Sequence, residues 1–298
     1  MTNMTDATTT TPPLDAAVNA ALADLQKRGA VQPEALFLLG TGIGMLGSQL
    51  KSPMRLPLGK VAGTPAAWSE VLFFSGTIGT LPVWIVEDAP GPPEQGLAEP
   101  LGEAPWTRGF PVWLAAAAGA SVCVHTSAGQ SLPEEDGRVI RPGSIALVSD
   151  HINFSARTPL IGLGESKLGP LFPDQSRLHN EELRKAALRR GKKLGVPIGE
   201  AIAGCAPYPA LETPAERRFW SRAGADVAVQ GLATPLHASA HAGLQVLALV
   251  AVTDAGTGMQ DVGALVAQAD KLAPAIEELL VLLAPDIKKV ARSLTVEE

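Results

Sequence analysis

The stretch EALFLLGTGIGMLGSQL, Glu34 to Leu50, decides how the chain is read. Five apolar residues, Ala35 to Leu39, run into Gly40, Gly42, Gly44 and Gly47. A short apolar run ending at glycine reads as a buried strand meeting a tight turn. Gly42, Gly44 and Gly47 also spell G-x-G-x-x-G, the dinucleotide fingerprint. That reading needs an acidic residue about twenty positions on, at the end of the next strand, to take the ribose hydroxyls. Between Lys51 and Ser69 there is no Asp or Glu, and Glu70 opens a strand instead of closing one. The following strand also leads into another with no crossover helix. The dinucleotide reading therefore fails. Two readings stay open: a cradle of backbone N–H groups with the Thr41 hydroxyl inside it, suited to phosphate or another small anion, or a tight turn that holds no ligand.

Outward from this turn, strands alternate with helices. A first helix is expected over Ala16 to Arg28, with Asp15 as its cap. Glu70 to Asp88 reads as two strands joined by a glycine turn. Residues 89 to 105 read as loop, rich in proline and glycine. WLAAAAGASVCVHTSAG gives a helix, a stop at Gly119 and a strand Ser121–His125 that ends in Ser127, Ala128 and Gly129. GSIALVSDHINF gives another strand, with Asp150 and His151 at its end. Residues 177 to 194 read as a basic amphipathic helix. Further strands are expected before the proline-interrupted loop at 207–214, over Asp226–Gln230 and over Gln245–Val252. A long last helix is expected from about Met259 to Leu283. The alternation predicts an α/β fold with a largely parallel sheet. Residues 1–13, MTNMTDATTTTPP, read as a disordered tail, and 14–298 as one domain.

The chain has 298 residues, 46% of them apolar, and a formal net charge of −6. Mean hydropathy is +0.16. These values describe a globular domain with an aliphatic core and no basic footprint for nucleic acid. Cys123 and Cys205 both lie in apolar stretches and read as buried thiols, with no disulfide framework. No apolar run reaches membrane-spanning length and no leader pattern opens the chain, so a cytoplasmic location is expected.

Several segments, in order, resemble one family. LGTGIGMLG is similar to the glycine-rich phosphate loop of the trimeric purine nucleoside phosphorylases, a family that includes the methylthioadenosine phosphorylases. HTSAGQSL resembles its T-N-A-A-G-G-L segment, and PGSIALVSDHINF its V-G-D-I-M-L-I-x-D-H-I-N-L segment. TPLIG, LGPLFPDQS, PALETPAE, AGADVAVQG and ALVAVTDAG resemble the blocks that follow, so the likeness covers about residues 35 to 284. It implies a single-domain, three-layer fold with a central mixed sheet between helices. It also implies phosphorolysis of a purine nucleoside, with phosphate as co-substrate, no metal or organic cofactor, and a homotrimer with sites near subunit interfaces.

The resemblance assigns roles to particular residues. Glu212 falls where a carboxylate accepts the purine N1–H, and Asp254 where an Asn or Asp faces N7. Asp254 in its acid form would donate to N7 and stabilise the negative charge of the leaving purine. Thr41, Gly42, Thr126, Ser127, Ala128 and Gly129 fall beside phosphate, ribose and base. Leu211, Gln230, Gly231, Thr253 and Met259 complete the substrate-binding set. Read without the family, Glu212 is equally a helix-initiating acid before Thr213-Pro214, and Asp254 a turn residue after a strand.

The sequence also departs from the family. Where the family carries G-R-x-H-x-Y-E-G, whose Arg and His grip phosphate, this chain reads EDAPGPPEQG, Glu87 to Gly96. A dianion beside Glu87 and Asp88 would be repelled. The family's M-S-T segment is Gln230, Gly231 and Leu232 here, and Thr126 replaces an Asn. Leu168 and Leu211 replace aromatics, and Met259 replaces the His that meets the 5′-hydroxyl. Arg108, His125 or Arg138 are candidates to replace the lost clamp, His125 foremost. His151 reads as structural, tying its strand end to a neighbouring loop. His237 and His241, one helical turn apart, have metal-ligand spacing without an obvious third ligand. Three functions follow: a phosphorylase with an altered phosphate site, a nucleosidase in which Glu87 or Asp88 orients water, and a binding or assembly protein without turnover.

Overall fold

The computed structural model describes residues 13–40, 43–87, 104–133, 140–207, 210–255 and 261–296. Nine strands form one sheet: β1 Ala35–Leu39, β2 Lys51–Pro57, β3 Leu72–Ile78, β4 Leu81–Glu87, β5 Val122–Ser131, β6 Ile145–Asn153, β7 Ile198–Ala206, β8 Val227–Gln230 and β9 Gln245–Asp254. Among the described residues six α-helices accompany them: α1 Pro13–Lys27, α2 Phe110–Ala117, α3 Glu181–Gly191, α4 Pro214–Arg222, α5 Ala233–His241 and α6 Val262–Val296.

The strand order is β2-β3-β4-β1-β5-β8-β7-β6-β9, and β9 also pairs with β5. Strands β5, β8, β7, β6 and β9 therefore close into a ring, with β1, β4, β3 and β2 as a flap on one side. The sheet is mixed, with five parallel and four antiparallel pairings. β5 is the joint. Its first half pairs with β1, its last three residues pair with β8, and β9 runs beside both. Gly129 lies where β5 changes neighbours. A Cβ there would come within 2.7 Å of the Val250 side chain and 2.8 Å of the Ala228 carbonyl, so the exchange requires glycine.

Alternation along the strands builds three layers. Leu36 and Leu38 of β1 join one core with α1, α2 and α5, including Leu14, Val18, Trp113 and Leu236. Ala35, Phe37 and Leu39 face a second core with Leu183 of α3 and Ile276, Leu280 and Leu283 of α6. Leu132, Ala206 and Ala228 pack with Trp220 of α4 in a smaller cluster.

Three expectations shift. α1 begins at Pro13, so Asp15 is no cap. It lies buried in the first turn, and its carboxylate accepts from the Lys167 amide at 2.9 Å. α3 begins only at Glu181, because Asn180 caps it by accepting from the Leu183 amide at 2.8 Å. α6 runs past both Pro274 and Pro285 to Val296. Beyond Pro285, Ile287, Val290 and Ala291 return to the core at helical spacing, and their burial holds the helix together after the proline. The expected tail, residues 1–12, lies outside the described residues.

Candidate active site

β1, β5 and β9 run parallel, so their C-terminal ends deliver residues to one end of the molecule. The register sets Leu39 beside Thr126, and Ser127 beside Val250. Gly40 follows β1 directly. Its amide donates to the Thr126 carbonyl at 3.0 Å and to Thr126 Oγ1 at 2.9 Å. A Cβ at Gly40 would collide with the Thr126 carbonyl. Thr126 is fully buried, and its hydroxyl ties the glycine loop to β5 instead of facing a ligand. The next side chain, Ser127, differs. Its Oγ is buried with no hydrogen-bond partner among the described residues, which makes it a group awaiting one. Thr41 and Gly42 lie outside the described residues.

Further along β5, Gln130 stands beside Asp254 of β9. Thr253 donates its hydroxyl to the Gly129 carbonyl at 3.0 Å and fixes this corner. Glu212 enters from the segment before α4. Thr213 caps that helix, accepting from the Glu216 amide at 3.2 Å, while the Glu216 carboxylate accepts from the Thr213 amide at 2.7 Å. Such a reciprocal cap leaves no capping duty for Glu212, and the helix-initiating reading of that acid is set aside. The Glu212 carboxylate instead turns inward, and its side chain is 1% exposed.

Its partners are Gln230 and Arg217. Gln230 Nε2 donates to Glu212 Oε1 at 2.7 Å and to the Ala210 carbonyl at 3.2 Å. Two acceptors on one side fix the amide's orientation, and Gln230 Oε1 is left buried without a partner among the described residues. Arg217, only 2% exposed, reaches Glu212 Oε2 at 3.4 Å and Gln130 Oε1 at 2.7 Å through Nη1. Its Nη2 donates to the carbonyls of Ser131 and Ala255. Arg217 also lies in the field of Asp254, so one guanidinium touches Glu212 and is acted on by Asp254 through space. Burial pushes the Glu212 carboxyl above its ordinary range, while its own backbone amide, Arg217 and Gln230 pull the other way.

The other expected residues are placed less directly. Asp254 is half-buried and accepts from the Ala255 amide at 2.8 Å. Ala128 and Leu211 are half-buried, and Gly231 is exposed at φ +71° where β8 ends. Met259, Asp88 and Arg138 lie outside the described residues. Arg108 sits in the 3-10 turn Pro105–Gly109, and Leu168 packs against the chain's own core. His125 is 6% exposed, and burial pushes its pKa down to about 4. A neutral imidazole cannot replace the charge of a missing arginine.

Beyond the glycine loop the polarity reverses. The Met45 amide donates to the Glu277 carboxylate of α6 at 2.8 Å. Glu277 also acts on Glu87 at the end of β4. Burial, with a smaller contribution from Glu277, raises the Glu87 carboxyl above its ordinary value, against the pull of Arg55. Glu87 Oε1 is buried without a partner among the described residues.

Arg217, Gln130 and Glu277 were not singled out from the sequence. Arg217 precedes Trp220 by three positions, and those two alone make the buried stripe of α4. Glu277 stands on the inward face of α6 with Ala273 and Leu280. An ionisable residue on an apolar helical stripe is the signal that marks both.

This architecture is that of the nucleoside phosphorylases. The family model described as the phosphorylase superfamily matches residues 34–284, and the chain belongs to that family. Its relatives include purine nucleoside phosphorylase 1 of Bacillus subtilis, 29% identical over 77% of this chain and 82% of the relative. Purine nucleoside phosphorylase 1 of Geobacillus stearothermophilus is 27% identical over 82% and 86%. The solved Schistosoma purine nucleoside phosphorylase in complex with hypoxanthine shares the fold, with a TM-score of 0.76 at 20% identity, covering 92% of this chain and 98% of that one.

Proposed function

We propose that this protein is a purine-nucleoside phosphorylase. It cleaves the C1′–N9 bond of a purine nucleoside as a phosphate oxygen bonds to C1′, releasing free base and ribose 1-phosphate. One observation carries the reading: the buried Glu212 carboxylate beside the unpartnered acceptor Gln230 Oε1. Two fixed acceptors suit the N–H edge of a heterocycle. Asp254 would face N7, where negative charge develops as the base leaves. Ser127 Oγ would meet phosphate or ribose, and Thr41 and Gly42 would bind phosphate with it. Relatives named as purine nucleoside phosphorylases support the substrate class. The same reading extends to a homotrimer working in the cytoplasm in purine salvage.

Glu87 and Glu277 favour a second reading, in which water replaces phosphate as nucleophile and Glu87 acts as its base. The experiment that separates them incubates the full chain with inosine, adenosine and methylthioadenosine, with and without phosphate. Purine release that requires phosphate and yields ribose 1-phosphate supports phosphorolysis. Release of free ribose at a rate indifferent to phosphate supports hydrolysis. Purine binding without bond cleavage from any nucleoside overturns both.

A further inference from the structure

Three histidines converge at the opposite end of β9 from Asp254. His151 lies in the last part of β6. His179 precedes α3 and bridges to Val246, the second residue of β9. His151 Nδ1 and His179 Nε2 are 3.0 Å apart. One carboxylate oxygen of Asp150 and one nitrogen of each imidazole lie within 4.8 Å of one another. The His237 ring of α5 lies 6.0 Å from that of His151. His237 is only 9% exposed, and its Nδ1 has no partner among the described residues. His241, one helical turn on, is engaged elsewhere: its Nδ1 accepts from the Trp113 indole at 3.0 Å.

We propose that Asp150, His151 and His179 bind a divalent late transition ion, zinc above the others. Two imidazole nitrogens and one carboxylate oxygen are the donor set of an open zinc site, with further positions left to water. Two nitrogens each about 2.1 Å from one zinc at the tetrahedral angle stand about 3.4 Å apart, so the two rings, 3.0 Å apart here, need to part by only about 0.4 Å to share an ion. Gln175 hydrogen-bonds the His151 side chain, the kind of outer contact that orients a metal-bound imidazole.

Val246 and Asp254 are eight residues apart on β9, about 26 Å at strand rise. An ion at this cluster therefore lies far from Asp254. Its work is to pin the residue 154–179 segment to the end of the sheet, not to act on a nucleoside.

The test uses the full chain, freed of metal by chelator and dialysed against zinc chloride. The expected result is about one zinc per chain by mass spectrometry of the metal, with a melting temperature that rises with zinc by mass action. In His179→Ala and Asp150→Asn, zinc affinity falls about tenfold or more, and the zinc-dependent rise in melting temperature shrinks. The Asp150 side is exposed, so the second variant stays informative if the first fails to fold. Zinc bound equally by the wild-type chain and both variants, or not retained by the wild-type chain, overturns the site.

Discussion

Met45 donates its amide proton to Glu277 at 2.8 Å, across 232 residues of sequence. A carboxylate therefore occupies backbone N–H capacity at the edge of the loop whose glycines suggested an anion cradle. Glu277 and Glu87 together set negative charge where the family's motif sets Arg and His. Phosphorolysis by this chain must work against that field.

Glu277→Gln keeps an oxygen for the Met45 amide and removes the charge. The KM for phosphate should fall about three- to tenfold, a field effect of about 1 kcal/mol, with kcat changed less. Steady-state kinetics against phosphate concentration measures this. An unchanged KM would detach Glu277 from the phosphate site.

Glu212→Gln replaces one of the two acceptors at the proposed base edge with an amide of the same shape. kcat/KM for inosine should fall by about a hundredfold or more, within the range for removing a positioned polar group from a transition state. Circular dichroism should show a retained fold. Activity equal to the wild-type chain would remove Glu212 from the base site.

Arg217→Met removes the cation beside the Glu212 carboxylate and the guanidinium hydrogen bonds to Gln130 and two carbonyls. Breaking a buried pair from one side costs about 3 kcal/mol or more. Adding Glu212→Gln should return part of that loss. Urea unfolding of the two single variants and the double variant gives the coupling. Additive losses would show that the guanidinium acts on the carbonyls alone.

His125 gives a pH signature. Burial holds its folded pKa at about 4, below the ordinary 6.5. A depressed histidine contributes stability that is complete above the unfolded value and lost as pH falls from 6.5 to about 4. The wild-type chain should lose up to about 3 kcal/mol from this source across that window. His125→Gln should flatten the slope. Parallel stability curves for the two proteins would assign the acid sensitivity elsewhere.

Gly40→Ala drives a methyl into the Thr126 carbonyl. The clash is with backbone, so β1 and β5 must part at the head of the loop. A loss of about 2–4 kcal/mol is expected by thermal unfolding, along with activity. A stable, active variant would show that the loop can be rebuilt without this close approach.

Much of the fold was legible because its strands carry it plainly. Ala35–Leu39 is an unbroken apolar run, and Leu72–Ile78 with Leu81–Glu87 flank a glycine turn. β2 was not legible, since Lys51–Pro57 has two prolines and no clean alternation. The end of α6 was hidden by Pro285, which a local rule reads as a stop. The closure of β9 onto β5 joins strands more than a hundred residues apart, and no local pattern encodes it. Glu212 and Asp254 were singled out through motif blocks. Arg217 was missed because the surrounding Glu216, Arg218 and Arg222 make it look like one more solvated charge, when its inward position alone sets it apart.

β2 is the sheet's one lateral margin without a neighbour among the described residues, because the ring consumes the others. That margin carries Pro53 and Pro57, which have no amide hydrogen to offer. It is broken by a register shift between Lys51 and Met54, and it bears the cations Lys51 and Arg55. A passing extended chain meets interrupted donors, a kink and positive charge there. The molecule thus guards against self-templated fibre growth at the place where its architecture would otherwise invite it.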